Sequence, residues 1–251
     1  MQHLLSRDSH AILMRLAQER TLCAFDFDGT LSPIVEHPSQ AAMRDQTRSL
    51  LGRVAALYPC VIVSGRSRAD LLGRLSGVTG ACVIGNHGAE TEATTSKPQR
   101  RLEQWKASLE LDLGALPGLW VEDKGLSLAV HYRQSPQKTE ARRRILVATR
   151  NLEQVRVVGG KQVVNLVVDR APDKGKALAA ERDRMECNWV LYVGDDENDE
   201  DAFALDGNIV PVRIGRKQRS HARYYLRTQA EIDKLLERLV LFRMAGKQTL
   251  G

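Results

Sequence analysis

The sequence predicts an α/β fold: a parallel sheet with helices on both faces, interrupted by an inserted α+β module. Three observations carry the prediction. Over residues 22–84, short and almost wholly apolar runs alternate with stretches of helical periodicity. Such runs read as strands buried on both faces, which is the habit of parallel sheets. Between residues 98 and 168 the order changes to helix, hairpin, helix, hairpin. After Asp169 the alternation of strand and helix resumes, so the middle stretch interrupts one core.

Taken in order, residues 6–20 have the apolar spacing of an amphipathic helix. Residues 22–27 read as a buried strand. Residues 45–57 form the next helix, with Leu50, Leu51, Val54 and Leu57 on one face and Pro59 ending it. A strand at 60–63 runs into Ser64-Gly65-Arg66. A helix at 68–76 precedes a strand at 81–84, which leads into Gly85-Asn86-His87-Gly88. The insertion opens with a helix at 98–113. Strands at 119–122 and 126–132 flank Asp123-Lys124-Gly125, a hairpin turn. Pro136 begins a strongly basic helix through Arg150, and strands at 155–158 and 162–168 flank Gly159-Gly160. The core returns with a helix from Lys174, a strand at 189–193, a helix at 200–205, a strand at 208–212 and a C-terminal helix at 229–242. The expected division is therefore a core of residues 1–89 and 169–251 around an α+β module at 90–168.

Composition narrows the class. A chain of 251 residues can bury a large core, and 43% apolar with 27% charged residues is ordinary for a soluble globular protein. A formal charge of +6 suits an anionic ligand or a generally basic surface. Aromatic residues are only 5%, and no stretch interleaves them with basic side chains, so nucleic acid is not an expected partner. Cys23, Cys60, Cys82 and Cys187 are widely spaced and sit mostly in or beside apolar strands. That pattern fits reduced, buried thiols rather than a disulfide frame or a zinc site. No apolar run approaches a membrane span, and the N-terminus has no signal-like segment, so a cytoplasmic location is the expectation.

The chemistry concentrates at strand ends. Asp26-Phe27-Asp28-Gly29-Thr30 ends the first apolar strand with two carboxylates two positions apart. Side chains at that spacing share a face of an extended segment, and paired carboxylates need a cation or a shared proton. The next strand ends in Ser64 and Arg66, and a later one in Gly194-Asp195-Asp196-Glu197-Asn198-Asp199. Lys174 opens a helix that can point the same way. Taken singly, each motif has a plainer reading as a turn, a helix cap or a solvated lysine. Taken together they gather carboxylates, a lysine and a serine where ligands bind in open parallel sheets. Phosphoryl transfer needs that set. Asp26, Asp28 and Asp195 supply hard oxygens for Mg²⁺, while Lys174 and the Ser64 hydroxyl suit phosphoryl oxygens. One carboxylate can attack phosphorus, and a second can move the proton.

These motifs, in this order, resemble the haloacid dehalogenase superfamily of phosphatases. The resemblance implies a parallel Rossmann-like core with an inserted α+β cap domain. It implies Asp26 as nucleophile and Asp28 as acid/base, with the Asp28 backbone carbonyl also on Mg²⁺. Ser64 and Lys174 become phosphate binders, Asp195 a metal ligand, and Asp199 a ligand or the support of one. Gly85-Asn86-His87-Gly88-Ala89-Glu90 is similar to a G-x-H-G-x-E motif of trehalose-6-phosphate phosphatases. Residues 121–133, Val-Glu-Asp-Lys-Gly-Leu-Ser-Leu-Ala-Val-His-Tyr-Arg, closely resemble the cap hairpin of that family. The match implies that Glu122 and Lys124 contact sugar, and it makes His87, Arg66 and Asn165 substrate-lining candidates. Two positions depart from the pattern: Asn165 stands where the family usually has Glu, and Asn198 where Thr is common. The expected activity is Mg²⁺-dependent hydrolysis of trehalose 6-phosphate, with a small-molecule sugar phosphate as the partner. Loss of the Glu at 165 keeps another sugar or glycosyl-polyol phosphate in view. A basic binding protein on a catalytically silent core is the reading from a different class.

Overall fold

The structure, a computed structural model, describes residues 1–94 and 99–248. A two-residue strand, β1 (Gln2–His3), precedes helix α1 (His10–Gln18) and strand β2 (Thr21–Phe25). Helix α2 (Asp45–Leu57) leads to β3 (Cys60–Val63), and α3 (Arg68–Arg74) to β4 (Ala81–Ile84). Helix α4 (Gln99–Leu113) is followed by a hairpin of β5 (Trp120–Asp123) and β6 (Ser127–His131). Helix α5 (Lys138–Thr149) is followed by a second hairpin, β7 (Val155–Gly160) and β8 (Val163–Val168). Then come α6 (Lys174–Arg184), β9 (Trp189–Gly194), α7 (Glu200–Phe203), β10 (Ile209–Ile214), β11 (Tyr224–Leu226) and α8 (Glu231–Gln248).

Among the described residues the strands form two sheets. One is parallel and seven-stranded, in the order β1-β11-β10-β9-β2-β3-β4; the other is antiparallel and four-stranded, in the order β5-β6-β8-β7. Alternation along β2 explains the layers. Cys23 and Phe25 face the side covered by α1, α2 and α8, through Leu16, Leu51 and Leu236. Leu22 and Ala24 face the opposite side, against Leu178 of α6 and Phe203 of α7. Both faces are buried, which is why the strand reads as continuously apolar. In the antiparallel sheet, Leu128, Val130, Val164 and Leu166 face α4 and α5, where Trp105 and Ile145 meet them. Its other face is left for the site. The α/β class with a cap is thus the observed fold.

The edge strands β1 and β11 were not expected. Strands of two and three residues are too short to show a periodicity, and their pairing joins residues 2–3 to residues 224–225. The first helix is also shorter than its apolar pattern, because residues 7–9 form a 3₁₀ turn. The expected start of the fourth helix, at 98, lies outside the described residues. No described helix is long and apolar enough to cross a membrane. The four cysteines are free, and all but Cys82 are buried.

Candidate active site

Strand register builds the centre of the site. Phe25, the last residue of β2, pairs with Ile62 on one side and with Val193 on the other, so β3 and β9 run only one residue further than β2. The residues that follow them, Asp26, Ser64 and Asp195, therefore converge, and all three are nearly inaccessible, at 5%, 1% and 5%. Gly29 permits this crowding. Its φ is +84°, and a Cβ there would collide with the Asp195 carboxylate. Lys174, 2% exposed, comes up from the first turn of α6. Asp173 caps that turn by accepting from the Lys176 N–H at 2.7 Å. Gly88, at φ +107°, sits against the Asp173 carbonyl where a Cβ has no room. The Gly85–Gly88 motif thus seats the helix that carries the lysine.

Lys174 Nζ donates to Asp26 Oδ1 at 2.9 Å and to Asp199 Oδ1 at 2.7 Å. Asp199 is fully buried and also accepts from the Tyr192 hydroxyl and from the backbone N–H groups of Asp195 and Asp196, at 2.7, 2.7 and 2.8 Å. Four donors on one carboxylate make it the anchor of the 195–199 loop. Burial pushes the Asp26 carboxyl up; Lys174 pulls it down, while Asp199 and Asp195 push it further up. Asp195 is pushed up to about 6, by burial first and then by Asp199, against the opposing Lys161. Burial disfavours charge on Asp199 as well, yet Lys174 and the other donors hold it below the usual carboxylate range. Lys174 resists its own burial through Asp199 and Asp26, which keep it protonated.

Donor oxygens of Asp26, Asp195 and Asp199 lie within 4.8 Å of one another. Three buried carboxylates face the ammonium groups of Lys174 and Lys161, a hard, oxygen-rich set suited to a metal ion. The Asp28 side chain stands apart. Arg66 clamps it with two donors, Nε to Oδ2 and Nη2 to Oδ1, both at 2.7 Å. Arg66 in turn donates to Asp70 at 2.7 Å and lies over the Phe27 ring.

These groups form the floor of a cleft of about 480 Å³ roofed by the antiparallel sheet. Register decides what the roof presents. Trp120 pairs with His131, Glu122 with Ala129, Ala129 with Asn165 and Val163 with His131, so these residues share the face away from α4 and α5. Lys124, in the β5–β6 turn, donates to the Gly65 carbonyl at 3.0 Å and to Asn165 Oδ1 at 3.4 Å. Burial lowers its pKa, against the nearby Glu122. Glu122 is held below the usual carboxylate value chiefly by its hydrogen bond with His131, and Lys124 adds to this against partial burial. His87 is 3% exposed, and neither ring nitrogen has a hydrogen-bond partner among the described residues. Burial first, then Lys124 and Lys174, hold it neutral. The layers are joined by Ser127 Oγ, which donates to Asn86 Oδ1 at 2.5 Å, and by Asn86 Nδ2, which donates to the Lys124 carbonyl at 3.3 Å; Glu90 holds the same amide at 2.6 Å. Every site residue singled out from the sequence lines the cleft except Asp199, which lies behind it.

The trehalose-phosphatase profile matches residues 24–226, most of the chain and both sheets. The chain belongs to the trehalose-phosphatase family. It is 36% identical over 200 residues to a trehalose-phosphate phosphatase of Mycobacterium bovis, covering 73% of this chain and 50% of that protein. A trehalose-phosphate phosphatase of Mycolicibacterium paratuberculosis is 37% identical, over 75% of this chain and 52% of the relative. The chain spans about half the length of the curated relatives it matches. The C-terminal domain of the C. albicans trehalose-6-phosphate phosphatase has the same fold, with a TM-score of 0.80 at 21% identity over 96% of this chain and 98% of that one. A structure described as a trehalose-6-phosphate phosphatase related protein superposes with a TM-score of 0.72 at 25% identity, over 91% and 99% of the two chains. Family membership and the buried aspartate cluster agree on a site that can hold a metal ion.

Some residues of this family site were not singled out in the sequence. Lys161 sits in the β7–β8 turn and forms an ion pair with Asp195 across the cleft. Tyr192 reads as one more apolar-strand residue, and nothing in the sequence marks its bond to Asp199. Arg213, 7% exposed, donates to the Asp195 and Asp196 carbonyls at 2.7 and 2.9 Å and so props the acidic loop from beneath. An arginine inside an apolar strand was the available signal. Trp120 and His131 were readable only as strand residues until the β5–β6 register was known.

Proposed function

We propose that the protein is a Mg²⁺-dependent phosphatase that hydrolyses trehalose 6-phosphate to trehalose and phosphate. The observation that carries this reading is the buried Asp26–Lys174 pair, at the bottom of a cleft whose roof presents Glu122, Lys124 and Asn165. Asp26 acts as the nucleophile. One of its oxygens bonds to phosphorus as the sugar oxygen leaves, giving an aspartyl-phosphate. Asp28 donates the proton to that sugar oxygen and then takes one from the water that frees Asp26. Ser64 and Lys174 hold the phosphoryl oxygens. Arg66 meets the same anionic group from the Asp28 side, and the unpartnered His87 ring nitrogens offer the sugar a polar contact.

Asp26 and Asp195 would hold the metal together with the Asp28 carbonyl, and Asp199 fixes the loop beneath. When bound, Mg²⁺ offsets the repulsion between carboxylate and phosphate. In this reading residues 1–89 and 169–251 form the catalytic core and residues 90–168 the cap. The cap excludes water and sorts substrates.

A second reading keeps the chemistry and changes the sugar. Asn165 is 2% exposed and offers Lys124 an amide oxygen in place of a carboxylate. That fits another sugar or glycosyl-polyol phosphate. Phosphate release from a panel of sugar phosphates, with Mg²⁺ and after its chelation, tests both. Trehalose 6-phosphate is expected to lead by kcat/KM, and chelation to abolish release. A different leader moves the substrate assignment, and release that ignores Mg²⁺ removes the metal.

A further inference from the structure

The end of the cleft farthest from Asp195 carries a feature that phosphate chemistry leaves unused. Trp120 and His131 stand opposite each other on β5 and β6, and their rings stack with centroids 3.9 Å apart and planes 8° apart. The stack is braced, because His131 Nε2 lies 2.8 Å from Glu122 Oε2. Stacking covers one face of the indole, yet Trp120 remains 45% exposed, as does Ile34 on the opposite wall of the same cleft. An exposed, immobilised tryptophan beside a carboxylate offers an apolar plane with a polar acceptor at its rim. A pyranose ring is the complementary shape, with an apolar C–H face and a hydroxylated edge.

Position supplies the second argument. Gly160, Val163, His131 and Trp120 form one row across the antiparallel sheet. Lys161 follows Gly160 and touches Asp195, so that end of the row lies over the aspartate cluster. Three interstrand steps put Trp120 roughly 14 Å further along. That span of sheet has the length for a second hexose linked to the one that carries the phosphate.

We propose that the Trp120–His131 stack is the platform for the unphosphorylated hexose of a disaccharide phosphate, and that Trp120 thereby sets the preference for disaccharide over monosaccharide phosphates. The proposal rests on the sugar-phosphatase reading above. Glu122 has two parts in it: it braces His131 and it accepts from the hydroxyls at the ring edge.

The test compares kcat/KM for trehalose 6-phosphate and glucose 6-phosphate in the wild type, Trp120→Ala and Trp120→Phe. The disaccharide-to-monosaccharide ratio is expected to fall about five- to tenfold in the alanine variant, through KM, and to stay within about twofold in the phenylalanine variant. Equal losses on both esters, or an unchanged ratio, overturn the platform. Tryptophan emission separates this inference from the reading beneath it. Added trehalose is expected to shift the emission of the wild type and to leave that of Trp120→Phe unmoved. A wild type that cleaves trehalose 6-phosphate without that shift overturns the platform alone. A wild type that cleaves neither ester overturns the phosphatase reading, and the emission shift then decides the platform.

Discussion

The floor and the roof of the cleft are built on different principles. On the floor, Asp26, Ser64, Lys174, Asp195 and Asp199 are all at most 5% exposed, and each is tied to a parallel strand end or a helix start. On the roof, Glu122 and Trp120 are 37% and 45% exposed, and they stand on β5, the edge strand of a small antiparallel sheet. Charges on the floor are desolvated and strongly coupled, so each matters to the others. On the roof, Lys124 and Asn165 are buried beneath the sheet, but Glu122 at its edge remains partly wet, so its charge is screened more than those on the floor. The floor is therefore suited to one chemistry, and the roof to choosing among substrates. The two meet at Lys161–Asp195 and at Lys124–Gly65.

The largest expected effect breaks the floor. Asp26→Asn should lower turnover of every phosphate ester by at least about 10³-fold, because the nucleophile acts only in the chemical step. Phosphate release across the sugar panel reads this, and a loss confined to one sugar would move Asp26 out of the chemistry. Lys174→Ala should be the next largest. It strands two carboxylates without their cation, which costs about 3–5 kcal/mol and lowers the melting temperature by roughly 10 °C. Thermal unfolding of the substrate-free protein measures it; a change under a degree or two would mean that the pair is not structurally coupled.

Roof changes should be smaller and selective. Lys124→Ala removes a buried ammonium that meets Gly65 and Asn165, and should raise KM for the sugar phosphate by about tenfold with little change in kcat. A fall in kcat of equal size would assign Lys124 to the floor instead. The smallest effect is a pH dependence of stability at Glu122. Its folded pKa lies below the ordinary value, so its contribution is fully present above about pH 4.3 and is lost as pH falls through the lower folded value. Glu122→Gln should therefore differ from the wild type by only about 1–2 °C near neutrality, and the gap should close in acid. A gap that widens in acid would reverse the sign argued here.

Legibility differs between the two halves for a physical reason. Asp26, Ser64 and Asp195 each follow a continuous apolar run, and a parallel sheet gathers its strand ends on one side, so their convergence was readable residue by residue. The roof's hairpins were readable as elements. Their partners were not: Trp120 meets His131 only because β5 pairs with β6 in one register, and a one-residue slip would turn the pair to opposite faces. Arg66 was marked by its place after β3, but its clamp on Asp28 spans 38 residues of chain. The short edge strands β1 and β11 were missed because two or three residues carry no period.

By itself the sequence determined the class of fold, the inserted module and the identity of the groups at the strand ends. Those features follow from local periodicity and from short-range spacing along the chain. Tertiary structure decided which groups share protons, charge and faces: the fourfold anchoring of Asp199, the reach of Lys161 to Asp195, and the stack at the far end of the cleft. Such contacts depend on strand register and on the approach of two sheets, and both are set by packing over the whole chain.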